Sequence, residues 1–172
     1  NSLVDPEIIS LLYEASQAGV PVKLIVRGIC CLIPGLEGIS EHITVISIVG
    51  QLLEHSRIFK FENGGSPKIY MGSADWMPRN LDRRIELVFP IEDEDLKQRA
   101  FETLDILLND NTNARMMLPD TSYQHISRRG KTACTAQLTF YGIAQERLKA
   151  KQEVEQDSPL IPIHSAEEAG KA

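Results

Sequence analysis

The chain has 172 residues, 42% hydrophobic and 24% charged, which is enough for one domain with its own core and no need of disulfide or metal staples. A formal charge of −6 argues against a general nucleic-acid binder, whose phosphate-neutralising face would show in the total, but leaves room for a local basic site. No apolar run approaches the ~20 residues of a membrane span and no basic stretch leads into an apolar one, so a cytoplasmic setting is expected.

Asp5-Pro6-Glu7 is a helix start: an oxygen-bearing N-cap, proline at the first helical position and a carboxylate at the positive end. Ile8, Ile9, Leu12 and Ala15 give that helix one apolar face, and Gly19 ends it. Residues 20–26, VPVKLIV, are too short and too β-branched for a helix and are predicted as a buried strand that Arg27-Gly28 terminates. Its carboxyl end opens on a loop, CCLIPGLEGISEH, of the kind that surrounds sites in α/β folds. Residues 43–49 form a second β-branched strand, and QLLEH at 51–55 is expected to add a single helical turn. Residues 57–62 and 68–72 are predicted as a hairpin about Asn63-Gly64-Gly65, with a further strand over 84–90.

After Pro90 the period changes. The acidic run at 92–95 caps a long helix with Leu96, Ala100, Phe101, Leu104 and Leu107 or Leu108 inward, ending near Asn109-Asp110. A loop containing Pro119 follows, then a final helix expected to start after Gly130 and a Pro-, Glu- and Ala-rich tail expected to fray from Gln152. No internal repeat is found; residues 1–150 are read as one domain and 151–172 as the tail. The missing initial methionine and the immediate helix signal suggest a fragment of something longer. Three cysteines, with Cys30 and Cys31 adjacent, fit neither a disulfide framework nor a zinc spacing and are expected to be buried packing groups in a reducing compartment.

The stretch EHSRIFKFENG, residues 54–64, carries the chemistry. His55 and Arg57 alternate onto one strand face, where an imidazole and a guanidinium could hold a phosphate between them, walled by Phe59 and Phe61. Ile58 and Lys60 point the other way, and Glu62, at odd spacing, reaches the site only through a bulge or the turn. A small-residue turn with a hydroxyl, Gly72-Ser73-Ala74-Asp75-Trp76, ends the partner strand near His55. Arg79, Asn80, Arg83 and Arg84 follow at once, although Asp82 and Glu86 adjoin the last two and a salt-bridged strand serves them equally. Lys68 and the cluster Arg128, Arg129 and Lys131 are candidate contacts for a polyanion, with edge protection and solvation as their bland alternatives. Trp76 is expected in the core or as a lid on the turn, and no carboxylate cluster has metal-site spacing.

H-x-R-x4-E followed by G-S-A-D-W resembles the half-site of the phospholipase D superfamily, H-x-K-x4-D followed by G-S-x-N, departing at Arg57, Glu62 and Asp75. Over a longer span, VKLIVRGICCLIPGLEGISEHITVISIVGQLLEHSRIFKFENG with YMGSADWMPRNLDRRIELVFPI is similar to the last domain of the large bacterial polyphosphate kinases, from about residue 1 to about residue 146. The resemblance implies an α/β fold, a mixed sheet flanked by helices forming a phospholipase D-like half. It also implies reversible phosphoryl transfer between ATP and inorganic polyphosphate, through a phosphohistidine and with Mg2+. The histidine that is phosphorylated would lie in a preceding domain. His55 would be the second histidine, donating a proton or binding phosphate, and Arg27 of the I-V-R-G motif would bind nucleotide phosphate. Arg57 and Ser73 would support the phosphates, and the Mg2+ ligands would lie outside this chain. His42, His125 and His164 start no second H-x-K or H-x-R unit, so the other half of the site would come from upstream domains of the same polypeptide or from a second copy in a homo-oligomer. A homodimeric phosphodiesterase or nuclease is the alternative enzyme, and a polyanion-binding module the non-enzymatic one.

Overall fold

The structure is a computed structural model that describes residues 1–157. It divides into two compact units, the first Asn1–Gln137 and the second opening at Leu138. Helix α1 (Pro6–Gln17) starts as expected, with the Asp5 carboxylate accepting the Ile8 N–H at 2.9 Å. Gly19 follows it at φ +80°, a left-handed position that glycine occupies without strain.

Strand β1 (Val22–Ile25) pairs in parallel with β2 (Ile43–Ile48), with Val22 opposite Ile43. The two carboxyl ends therefore point the same way, joined by the crossover at 26–42. Strand β2 is buried along most of its length and also pairs antiparallel with β6 (Ala114–Met117), on which β7 (Tyr123–His125) is hung, giving the order β1-β2-β6-β7. The second sheet is β3-β4-β5: β3 (Ile58–Phe61) and β4 (Lys68–Gly72) form the expected hairpin around a 3-10 turn, Asn63–Gly65, and β5 (Val88–Pro90) flanks β4. Leu3, Ile9, Val26, Leu32, Ile43, Val45 and Met117 form the buried cluster. Leu3 bridges both Cys30 and Trp76, so the opening segment fastens the end of β1 to the turn after β4.

Helix α3 (Glu94–Leu108), capped by Asp93, agrees with the periodicity. The expected mixed sheet flanked by helices is the four-stranded one, accompanied by a second sheet of three antiparallel strands. Other elements depart from expectation. Residues 51–55 make no helical turn, because both backbone polar groups of Leu52 are bonded to the Gln137 amide. A helix α2 (Pro78–Arg83) with proline at its start was not anticipated, and it leaves only Val88–Pro90 of the strand expected over 84–90. The Leu87 backbone instead closes on Ser73. Strands β6 and β7 form within the stretch expected as the Pro119 loop.

The last helix, α4 (Ala136–Asp157), starts later than Gly130. The Asn111 side chain takes the Thr132 carbonyl and the Cys134 N–H, both at 2.9 Å, and holds those residues out of the helix. The expected fraying point at Gln152 falls inside α4, and the tail at 158–172 lies outside the described residues. Cysteine packing is also corrected: Cys31 is exposed and Cys30 and Cys134 are half-buried.

Candidate functional site

The carboxyl ends of β1 and β2 bring together Arg27, just past β1, and the irregular segment at 49–57, just past β2. Arg27 and residues 48–54 line an open cleft of about 220 Å³. The Arg27 Nε donates to the Glu54 carbonyl at 2.8 Å, which fixes the guanidinium beside the residue that precedes His55. From the other side Gln137 holds the same segment. Its Oε1 accepts the Leu52 N–H at 3.1 Å, and its Nε2 donates at 2.7 Å both to the Leu52 carbonyl and to Glu54 Oε1. Gly50 permits this approach, since an added Cβ would lie 2.5 Å from Gln137 Oε1.

His55 is exposed and stands before β3 begins, so its position does not come from strand alternation. Arg57 reaches back instead: its Nη1 lies 2.8 Å from His55 Nδ1 and donates to the His55 carbonyl at 2.9 Å. The Arg57 Nε donates to Asp75 Oδ1 at 3.1 Å, in an ion pair whose side chains are 12% and 9% exposed. Burial opposes charge on Asp75, but the hydrogen bonds from Arg57 and Asn1 outweigh it and hold the carboxyl below its ordinary range. Trp76, which follows Asp75, stacks on Phe59, with centroids 5.0 Å apart and planes 14° apart.

Ser73 is placed differently from expectation. Its hydroxyl donates to Glu86 Oε2 and accepts the Leu87 N–H at 3.0 Å, so its one proton is already committed. The hydrogen bonds from Ser73 and from Asn80 lower the Glu86 carboxyl. Glu62 pairs with Lys60 at 2.7 Å, and Lys60 lies 4.9 Å over the Phe101 ring, so neither joins the site. Lys68, Arg128, Arg129 and Lys131 are exposed, and the last three precede α4 instead of starting it.

Sequence reasoning missed two organising residues. Gln137 reads as an ordinary helix-surface residue, and nothing in its neighbourhood signals a reach to Leu52 and Glu54. Asp110 is 1% exposed and accepts the N–H groups of Asn113, Ala114 and Thr112 on Oδ1 and that of Ala136 on Oδ2. A buried aspartate followed by Asn111 and Thr112 is a signal for such a turn and helix cap, hidden here by its place at the end of α3.

Fold and site together define an α/β domain that displays an imidazole and a guanidinium at the carboxyl ends of parallel strands, a donor set suited to phosphate oxygens. A family profile described as "Polyphosphate kinase C-terminal domain 2" matches residues 1–137, so the chain belongs to the polyphosphate kinase C-terminal domain family. It is 63% identical over 123 residues to a polyphosphate kinase of Synechocystis sp., an alignment covering 72% of this chain and 17% of the relative. With a polyphosphate kinase of Lactiplantibacillus plantarum it shares 49% over 150 residues, 87% of this chain and 21% of the relative. The crystal structure of polyphosphate kinase from Porphyromonas gingivalis superposes with a TM-score of 0.81 at 40% identity, covering 90% of this chain and 23% of that one. The chain thus spans about a fifth of the length of the relatives it matches.

Proposed function

We propose that this chain supplies one half of a phosphoryl-transfer site in a longer polypeptide that reversibly moves the γ-phosphate of ATP onto inorganic polyphosphate. A histidine of an upstream domain attacks the γ-phosphorus, the bond to the bridging oxygen breaks and ADP leaves. The terminal polyphosphate oxygen then attacks the phosphohistidine, the P–N bond breaks and the polymer gains one unit. His55 acts opposite the nucleophile, giving a hydrogen bond or a proton to a phosphate oxygen, and Arg27 neutralises nucleotide or polyphosphate charge.

The observation that carries this reading is the attitude of His55. The imidazole is exposed, its Nδ1 is taken by Arg57, and Nε2 is the nitrogen left to meet a phosphate. Arg57 is committed through Nε to Asp75 and through Nη1 to His55 and serves the site through that imidazole, and Ser73, with its proton on Glu86, is not proposed as a ligand. Among the described residues no three His, Cys, Asp or Glu side chains converge on a cation site, and the site carboxylates of Glu54, Asp75 and Glu86 already accept hydrogen bonds. In this reading Mg2+ would come with the substrate phosphates and take its protein ligands from elsewhere in the parent. Oligomeric assembly and a cytoplasmic setting belong to the same reading.

Mixing the chain with its separately produced upstream domains and ATP labelled at the γ-phosphate tests the proposal. Label transfer that needs both pieces and collapses with His55→Ala is expected. Undiminished transfer by that variant would reduce His55 to a structural residue, and full-rate polyphosphate synthesis by this chain alone would remove the need for an upstream nucleophile.

A further inference from the structure

We propose that Asp75 and Arg57 are positioning residues that hold His55 in a single tautomer, Nδ1 bare and Nε2 protonated, with the ring turned toward the transferring phosphate. The proposal rests on the phosphoryl-transfer reading for its kinetic consequence, but the tautomer lock itself is a property of this chain.

The geometry runs inward from the imidazole. A guanidinium offers only N–H donors and cannot accept, so the 2.8 Å contact between Arg57 Nη1 and His55 Nδ1 requires a lone pair on Nδ1. In the neutral ring the proton then sits on Nε2. The same Nη1 donates to the His55 carbonyl at 2.9 Å, so backbone and ring of His55 are gripped by one group and rotation of the imidazole breaks that grip.

Arg57 is itself held at both ends. Its carbonyl accepts the Gly72 N–H at 3.1 Å, and its Nε is bound to Asp75 Oδ1. Asp75 is buried, at 7% exposure, and its Oδ2 takes the Asn1 Nδ2 at 2.8 Å. The turn that carries Asp75 is pinned by the Val4 and Asp5 N–H groups on the Trp76 carbonyl, at 2.8 and 2.9 Å. No link in this relay depends on a substrate being present.

The relay also gives a reason for two departures from the superfamily pattern noted above. Arg57 stands where that pattern has lysine and Asp75 where it has asparagine, and in this fold the two are each other's partners. A carboxylate at 75 offsets the guanidinium at 57 and keeps it turned toward the imidazole. Arg27, whose Nε is on the Glu54 carbonyl and which makes no ion pair among the described residues, is left as the site's cation for a ligand.

Two measurements test this. In the 172-residue chain with 15N-labelled histidine, the neutral His55 ring is expected to show a bare Nδ1 and a protonated Nε2, with the signals assigned by their loss in His55→Gln. Asp75→Asn, or Arg57→Lys should the first fail to fold, is expected to release the ring into a mixture of tautomers. In the longer polypeptide the same substitutions should lower kcat by about ten- to a hundredfold, the range for outer partners that orient a functional imidazole, with KM for ATP nearly unchanged. The double variant Arg57→Lys/Asp75→Asn should be no worse than the worse single one, because both act through one relay.

A protonated Nδ1 in the wild-type chain, or tautomers unmoved by Asp75→Asn, would overturn the lock. Losses that add, or that fall on KM, would make Arg57 a phosphate ligand and overturn the positioning role. If His55→Ala leaves transfer intact, the phosphoryl-transfer reading fails, and the nitrogen signals still decide the lock.

Discussion

Asp110→Asn should destabilise the fold by about 2–4 kcal/mol at neutral pH, a figure that follows from the bonds the carboxylate makes. Oδ1 accepts the N–H groups of Thr112, Asn113 and Ala114 at 3.0, 2.7 and 3.0 Å, and Oδ2 accepts that of Ala136 at 2.8 Å. Asparagine keeps one acceptor oxygen. If that oxygen serves the three-donor turn, an NH2 group meets the Ala136 N–H, and one charge-assisted bond worth roughly 1.5–3 kcal/mol is lost while the others weaken. At about 2–4 °C per kcal/mol for a chain of this size, Tm should fall by roughly 4–16 °C.

The effect carries a pH signature. Burial would raise the Asp110 carboxyl, but the N–H groups of Ala136, Asn113, Ala114 and Thr112 outweigh it and set its value below the ordinary one. A folded-state value below the unfolded one of about 3.9 means that the stabilisation is complete above that pH and is lost as pH falls through the folded value. Denaturant unfolding of wild type and variant between pH 7 and pH 3 should therefore show a gap that narrows as pH falls below the unfolded value. Equal stability at pH 7, or a gap that persists undiminished at pH 3, would refute the account of Asp110.

Gly50→Ala should push the Gln137 amide off Leu52 and Glu54, seen as faster hydrogen exchange at the Leu52 amide and slower transfer in the parent enzyme with the sheets intact. If Arg27 binds phosphate as proposed, Arg27→Ala should raise KM for ATP more than it lowers kcat, because its charge would act in ground and transition states alike. Ser73→Ala should lower Tm through the lost Glu86 and Leu87 bonds yet leave polyphosphate affinity unchanged in a salt-matched titration. Trp76→Phe should cost about 1–3 kcal/mol from the stack on Phe59, measured by denaturant unfolding followed by circular dichroism.

Legibility followed the range of the forces. Asp5-Pro6-Glu7, the acidic cap of α3 and the Asn63-Gly64-Gly65 turn act within a few residues, and each was readable. Strand β6 was not, since Ala114-Arg115-Met116-Met117 carries little strand preference and forms because Met116 and Ala114 find Ile46 and Ile48 on β2. The start of α4 was misplaced for the same reason: Asn111 and Asp110 restrain residues more than twenty positions away. At the site, residue types were legible and roles were not. Alternation placed His55 and Arg57 on one face, but His55 precedes β3, and the Arg57 side chain joins the two by bending back. The charge pairing of Arg57 with Asp75, eighteen positions on, is invisible to any local pattern.

The segment at 49–57 has no regular structure to hold it, yet three side chains fix it, two from remote positions and one from its own end: Arg27 on the Glu54 carbonyl, Gln137 on Leu52 and Glu54, and Arg57 on His55. Two of the three are guanidiniums that bind backbone carbonyls before any phosphate arrives. The ordering cost of the loop is thereby met in folding, and His55 is presented in a set direction, which is what a transfer depending on position and charge requires of the protein. On the proposed reading an acidic chain can serve a polyanionic substrate, because Arg27 and the Nε2 edge of His55 would act at contact distance, whereas the net charge acts through a screened field. On the proposed reading the same economy gives a single half-site its use: a phosphoryl group in transfer is flanked from two sides, and this chain would supply one of them.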